Sequence, residues 1–160
     1  MIRFGERLLH RSSASFASHT IEPTLEPYLS SRSDKFTQYM PLKHFKYDGW
    51  YSQEGVETFG SNHPHASMRE LVSNKNMKIS CIGIGTYKGS LDESDDILQF
   101  NAVIDSVMLG SNVIDTCSNF RGGRSEISIG TALRYLIEEK KYSRNQIFIC
   151  SKAGFVREDI

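Results

Sequence analysis

The stretch Asn112–Ile129, NVIDTCSNFRGGRSEISI, decides how this chain folds. It opens on the short apolar run Val113-Ile114, which reads as a buried strand. Asp115 and Thr116 follow as a polar pair at the strand's C-terminal tip. Gly122 and Gly123 supply a turn, and Ser125-Glu126 opens an amphipathic helix. A strand, a carboxylate at its tip, a turn and a helix make one βα unit. In parallel α/β folds, chemistry sits at such strand tips. Taken alone, an Asp at a strand end is more often a turn or capping residue. The next unit shifts that balance.

That unit is Gln146–Phe155, QIFICSKAGF. Ile147 to Cys150 is an apolar strand, and Lys152 stands just past its end. Two neighbouring parallel strands deliver Asp115 and Lys152 to one rim. An Asp beside a Lys favours both charged forms, while partial desolvation of a Lys lowers its pKa toward neutrality. The pair therefore reads as an acid/base or electrostatic device. It reads equally well as a structural ion pair tying two loops together.

Three ordered segments, ISCIGIGTYKG, NVIDTCSNFRGGRSEISIGTAL and IFICSKAGF, resemble the first three barrel strands of the aldo-keto reductases. The resemblance covers about Met68 to Phe155. It implies an α/β fold: a partial TIM (β/α)8 barrel made of an N-terminal hairpin and the first three βα strands. It implies a relation to NADPH-dependent reductases of aldehydes and ketones. Asp115 and Lys152 match two members of the family's catalytic set. Gly85 and Thr86, with Asp115, match the backbone that borders the nicotinamide end of NADP. A glycine turn made for geometry alone fits Gly85-Thr86 equally well.

The family uses an Asp, a Tyr, a Lys and a His, the Tyr being the proton donor to the carbonyl oxygen. The Tyr position falls on Phe120, which has no hydroxyl. Losing a positioned general acid costs about 10²–10⁴-fold, or about 3–5 kcal/mol of barrier. Tyr87, at the tip of the neighbouring strand, is a weak substitute. The family's His belongs to strand four, and no His follows His65 here. A complete barrel takes about 250 residues, against 160 in this chain. The expectation is a protein truncated after strand three and inactive alone. The alternative is a pseudoenzyme serving as a structural or accessory subunit of a mitochondrial complex. Open sheet edges call for a protein partner or a missing C-terminal half.

Composition excludes several classes. Net charge is zero and there is no basic stripe, so nucleic acid is not an expected partner. No apolar run approaches the roughly 20 residues of a membrane span. The three cysteines, Cys81, Cys117 and Cys150, lack metal-ligand spacing and read as small core residues in a reducing compartment. His63 and His65, in HPH, read as a polar turn, so no metal site is expected.

Three regions follow. Residues 1–20 carry Arg3, Arg7 and Arg11 at four-residue spacing among Ile2, Phe4, Leu8 and Leu9, ahead of a Ser-rich tail. That is the pattern of a transit peptide, read here as mitochondrial, with a cytoplasmic protein as the other expectation. Residues 21–67 are punctuated by prolines and crowded with aromatics, an extension expected to lie on the barrel or on a partner, with a short helix over Ser30–Tyr39. Residues 68–160 are the partial barrel. There Met68–Ser80 predicts a hairpin turning at Ser73–Asn76, and Cys81–Gly85 is strand one. Helix one is capped by Ser94, presents Ile97, Phe100, Ile104 and Val107, and stops at Gly110. Helix two runs from about Arg124 to Lys140 and buries Ile129, Ala132, Leu133 and Leu136.

Overall fold

A computed structural model describes residues 26–40 and 49–154. The basic N-terminal segment, His44 and Phe155 lie outside the described residues. Two helices come first, α1 (Glu26–Tyr39) and α2 (Gln53–Asn62), then an antiparallel hairpin of β1 (Met68–Leu71) and β2 (Asn74–Ser80). The chain then alternates: β3 (Gly83–Gly85), α3 (Glu93–Met108), β4 (Val113–Asp115), α4 (Arg124–Glu138) and β5 (Phe148–Cys150).

β3, β4 and β5 form a parallel sheet in that order, with Gly85, Asp115 and Cys150 level at one end. Right-handed crossovers between sequential parallel strands place both connecting helices on one face, and α3 packs on α4. Residues level with one another in a parallel ladder share a face. Ile84, Ile114 and Ile149 are level and all meet the helical core. Ile114 is fully buried, a burial worth about 1.5–3 kcal/mol. Asp115, one residue on, therefore projects from the opposite face. The sheet of the described residues is open, with β3 and β5 each paired on one side.

Helix two keeps its expected face: Ile129, Ala132, Leu133 and Leu136 are all buried. In α3, Phe100, Ile104 and Val107 are fully buried and Ile97 partly so. Its cap differs from expectation. Asp92 is the N-cap, accepting from the Asp95 amide at 2.9 Å, and Ser94 lies inside the first turn. Asp92 wins because its carboxylate takes that amide and the Ser94 hydroxyl together.

The hairpin turns at Val72-Ser73, two residues earlier than expected, and Asn74–Asn76 belong to β2. Their Asn-Lys-Asn composition resembles a turn because this part of the strand is exposed on both faces. Strand one begins at Gly83 rather than Cys81. The Cys81 amide donates to Ser67 O, and Ile82 O accepts from the hydroxyls of Ser80 and Ser111, so these residues bond to the hairpin and a loop. Cys81 and Cys150 are exposed and only Cys117 is buried, a correction to their reading as core residues.

The aromatic extension lies on this chain's own helices. Phe36 and Tyr39 of α1 and Phe59 of α2 join the core of α3, α4 and the sheet. Phe36 meets Phe100 edge-on at 5.5 Å, and Tyr39 meets Tyr135 at 5.7 Å. At Gly55 a Cβ would fall 2.2 Å from the Asn145 carbonyl oxygen, so α2 reaches the turn before β5 only because Gly55 has no side chain. His63 is buried, stacked on Phe59, with its ring nitrogens bonded to Phe59 O and the Tyr142 hydroxyl. No helix among the described residues is long and apolar enough to cross a membrane.

Candidate active site

The rim is assembled by backbone first. The Thr116 amide donates to Cys150 O at 2.8 Å, carrying the β4–β5 ladder past the tip. The Cys117 thiol then donates to Lys152 O at 3.2 Å. With the two loops fixed, Lys152 Nζ donates to Asp115 Oδ1 at 2.5 Å and to Thr116 O at 2.8 Å. Both side chains are about half exposed, 46% for Lys152 and 49% for Asp115. The expectation of a desolvated lysine with a lowered pKa is overturned. The hydrogen bond to Asp115 lifts Lys152 above the ordinary amine range, because water still reaches the ammonium and burial opposes the lift only weakly. Lys152 stays an ammonium at neutral pH and acts as a fixed charge.

Phe120 opens a short 3-10 turn, Phe120–Gly123. Its ring lies 5.3 Å from Lys152 Nζ, within cation–π range. The Tyr87 ring meets Phe120 edge-on at 5.1 Å, and Lys88 Nζ stands 5.4 Å from the Tyr87 centroid. Tyr87 is 62% exposed, and its hydroxyl makes no hydrogen bond to Asp115 or Lys152. The structure thus brings together Asp115, Lys152, Phe120 and the ring of Tyr87.

Gly85 and Thr86 behave differently from one another. Gly85 sits level with Asp115, and the space where a Cβ would stand is open. Thr86 is buried. Its amide and hydroxyl both donate to Asp115 O, at 3.1 and 3.0 Å, and its carbonyl accepts from Gln99 Nε2 and Ser125 Oγ. Every polar atom of Thr86 is used inside the protein, so it clamps β3 to β4 beneath the rim.

Sequence reading missed what braces this end. Asp96, on the first turn of α3, is buried and takes Arg121 at 2.8 Å on one oxygen and Arg124 on the other. The Arg121 side chain is only 1% exposed. It also donates to Ser90 O, Asp92 O and Gln99 Oε1. Arg121 itself lies in the left-handed region, φ 51°. The available signal was an arginine directly before Gly-Gly, in a turn where a long side chain is free to fold back.

A shallow hollow of about 340 Å³ lies at the rim, lined by Tyr87, Lys88, Gly89 and Arg121. Larger hollows, about 560 and 510 Å³, lie between α2 and the hairpin and beside Cys81, Ile82 and Leu109, away from Asp115. For NADP the described residues offer an open approach over Gly85 and one ion pair. With Thr86 closed off and the rim hollow shallow, they do not by themselves fit a dinucleotide. Among the described residues no cluster of three or more His, Cys, Asp or Glu side chains is placed to hold a metal. Comparisons with family models, with curated proteins and with solved structures found no match for this chain.

Proposed function

We propose that this chain is an aldo-keto reductase-like protein, a partial (β/α)8 barrel related to NADPH-dependent reductases of aldehydes and ketones, and that alone it reduces no carbonyl. The observation that carries the reading is Phe120. Its ring stands 5.3 Å from Lys152 Nζ, where the resemblance calls for a tyrosine hydroxyl. Among the described residues no hydroxyl hydrogen-bonds to Lys152 Nζ or to the Asp115 carboxylate. The charge pair is in place, and the proton donor it would tune is not. In that family the nicotinamide supplies the hydride. Here Asp115 holds the Lys152 ammonium at the rim, and Phe120 with Tyr87 walls it with rings.

A second reading is favoured by the open sheet. β3 and β5 each lack a partner on one side among the described residues, and an unpaired strand edge is a ready docking line. On that reading the chain is a pseudoenzyme, a structural or accessory subunit of a mitochondrial complex. The mitochondrial destination rests on the Arg3, Arg7 and Arg11 pattern.

The test follows NADPH absorbance with a panel of aromatic aldehydes. The chain and its Phe120→Tyr variant are both expected to match the no-enzyme control. Positioning accounts for about 7–11 kcal/mol of barrier lowering, so a restored acid without a cofactor site gains nothing measurable. Joined to the C-terminal half of an aldo-keto reductase barrel, Phe120→Tyr is expected to raise the rate by about 10²-fold or more. Turnover by the unmodified chain would mean that Tyr87 or a self-assembled partner supplies the proton, and the inactive reading would fall.

A further inference from the structure

Two loops flank Asp115 and Lys152, and beyond their first residues, Thr86 and Thr116, neither is bonded to a strand. One follows β3 and carries Tyr87. The other follows β4 and carries Phe120. What ties them together is buried. The Arg121 guanidinium donates to Ser90 O at 2.8 Å and to Asp92 O at 3.3 Å, both in the Tyr87 loop. It donates to Gln99 Oε1 at 3.2 Å, and Gln99 Nε2 in turn donates to Thr86 O at 2.9 Å, one residue before Tyr87. Asp96 completes the fork at 2.8 Å. These donors leave along different directions of one rigid plane, so they fix orientation as well as distance.

The backbone conformation fits the same purpose. A non-glycine residue in the left-handed region carries strain, which persists only where the surroundings over-determine it. Arg121 sits at φ 51° and Gly122 at φ 60°. Arg121 turns inward there, and its neighbour Phe120 meets both Tyr87 and Lys152. Gly89 answers from the other loop: at φ 121°, a Cβ on it would stand 3.0 Å from Arg121 Nε. The Tyr87 loop closes down on the guanidinium.

We propose that Arg121 is the positioning residue of this rim: its buried guanidinium locks the Tyr87 loop to the Phe120 turn, and so sets the aromatic wall over the Asp115–Lys152 pair. Arg121 touches none of the reacting positions and acts through Phe120 and Tyr87. The inference deepens the aldo-keto reductase-like reading by naming what shapes its site, yet the contacts it invokes do not depend on any reaction. Its test therefore reads geometry, while that reading is judged by turnover.

The experiment is NMR of the full chain carrying Arg121→Met, with Gln99→Met as a second variant that cuts the link from α3 without deleting a charge. Arg124 still pairs with Asp96 in both. In each, the nuclear Overhauser contacts between the Tyr87 and Phe120 rings are expected to disappear, or to weaken in Gln99→Met. The signals of Val103, Ile104 and Leu136 in the core are expected to stay in place. The Lys152 amine, whose chemical shift responds to the Phe120 ring, is expected to shift as well. Arg121→Lys keeps the charge without the fork and is expected not to restore the ring contacts. Ring contacts unchanged in a folded Arg121→Met chain would overturn the proposal. So would core signals that collapse along with the rim in Gln99→Met, since the network would then serve the fold rather than the site.

Discussion

Asn101 shows what a single buried side chain contributes to this protein. It lies in the middle of α3, 3% exposed, and neither its amide nitrogen nor its carbonyl oxygen has a hydrogen-bond partner. Leaving a buried donor or acceptor unsatisfied costs about 1–3 kcal/mol, whereas an apolar group of the same shape carries no such penalty. Leucine repeats the branched heavy-atom skeleton of asparagine with bulkier methyl groups, and has a better helix propensity. Asn101→Leu is therefore expected to stabilise the fold by about 1 kcal/mol or more, read as a higher urea midpoint at unchanged slope. A lower midpoint would refute the expectation that this site favours an apolar side chain. Contrast Arg121, which is as deeply buried yet has named acceptors around its guanidinium. Asp115 and Lys152 differ from both, because their ion pair sits in water and is screened. Its value lies in placing a charge rather than in holding the fold.

The N-terminus of α3 joins helix capping to the rim. Asp92 caps the helix, receives the hydroxyls of Ser90 and Ser94, and lends its carbonyl to Arg121. The Ser90 hydroxyl first, then the Asp95 amide and the Ser94 hydroxyl, push the Asp92 carboxyl down to about 2. An unfolded Asp titrates near about 3.9. A carboxyl depressed in the folded state contributes stability that is whole above the unfolded value and is lost as pH falls through the folded one. The first turn of α3 is thus expected to fray between about pH 4 and about pH 2. Hydrogen exchange at the Asp95 and Asp96 amides measures it, and exchange independent of pH in that window beyond its intrinsic dependence would refute it. Elements such as α3 and α4 were legible in the sequence because their apolar stripes repeat at helical spacing, and the tips of β4 and β5 because apolar runs end at Asp115 and near Lys152. The cap was misread because Asp92 and Ser94 are both good cap residues, and only the geometry of the Ser90 loop chooses between them. The hairpin turn was misread because exposed strand and turn share a polar composition at Asn74–Asn76. The Arg121 network was illegible for another reason. Two of its four acceptors are backbone carbonyls, which leave no mark in a sequence, and the other two, Gln99 and Asp96, lie 22 and 25 residues away.

At the scale of the whole molecule, the question is whether the aromatic extension and the α/β unit are one body. Proline-rich, aperiodic sequence before Met68 reads as a separate attachment, and its aromatics alone suggest that it lies on something. In the structure Phe36 is fully buried and meets Phe100 of α3, Tyr39 is 3% exposed against Tyr135 of α4, and Phe59 is fully buried in the same cluster. The helices α3 and α4 cover one face of the sheet, and α1 covers them in turn. A core shared in this way has no seam along which the two parts could melt separately. Phe36→Ala removes a fully buried ring, which costs about 3–5 kcal/mol. In a chain of this size each kcal/mol lowers Tm by roughly 2–4 °C. The expected fall is therefore about 6–20 °C for the molecule as a whole, with far-ultraviolet and near-ultraviolet signals changing together, as a single cooperative unit requires. Two transitions, with the helices and sheet from Met68 onward melting at the unaltered temperature, would mean that the extension is only docked. A single lowered transition would mean that α1 is as much a part of this core as α3, and that the rim carrying Asp115 and Lys152 depends for its stability on residues far from it in sequence.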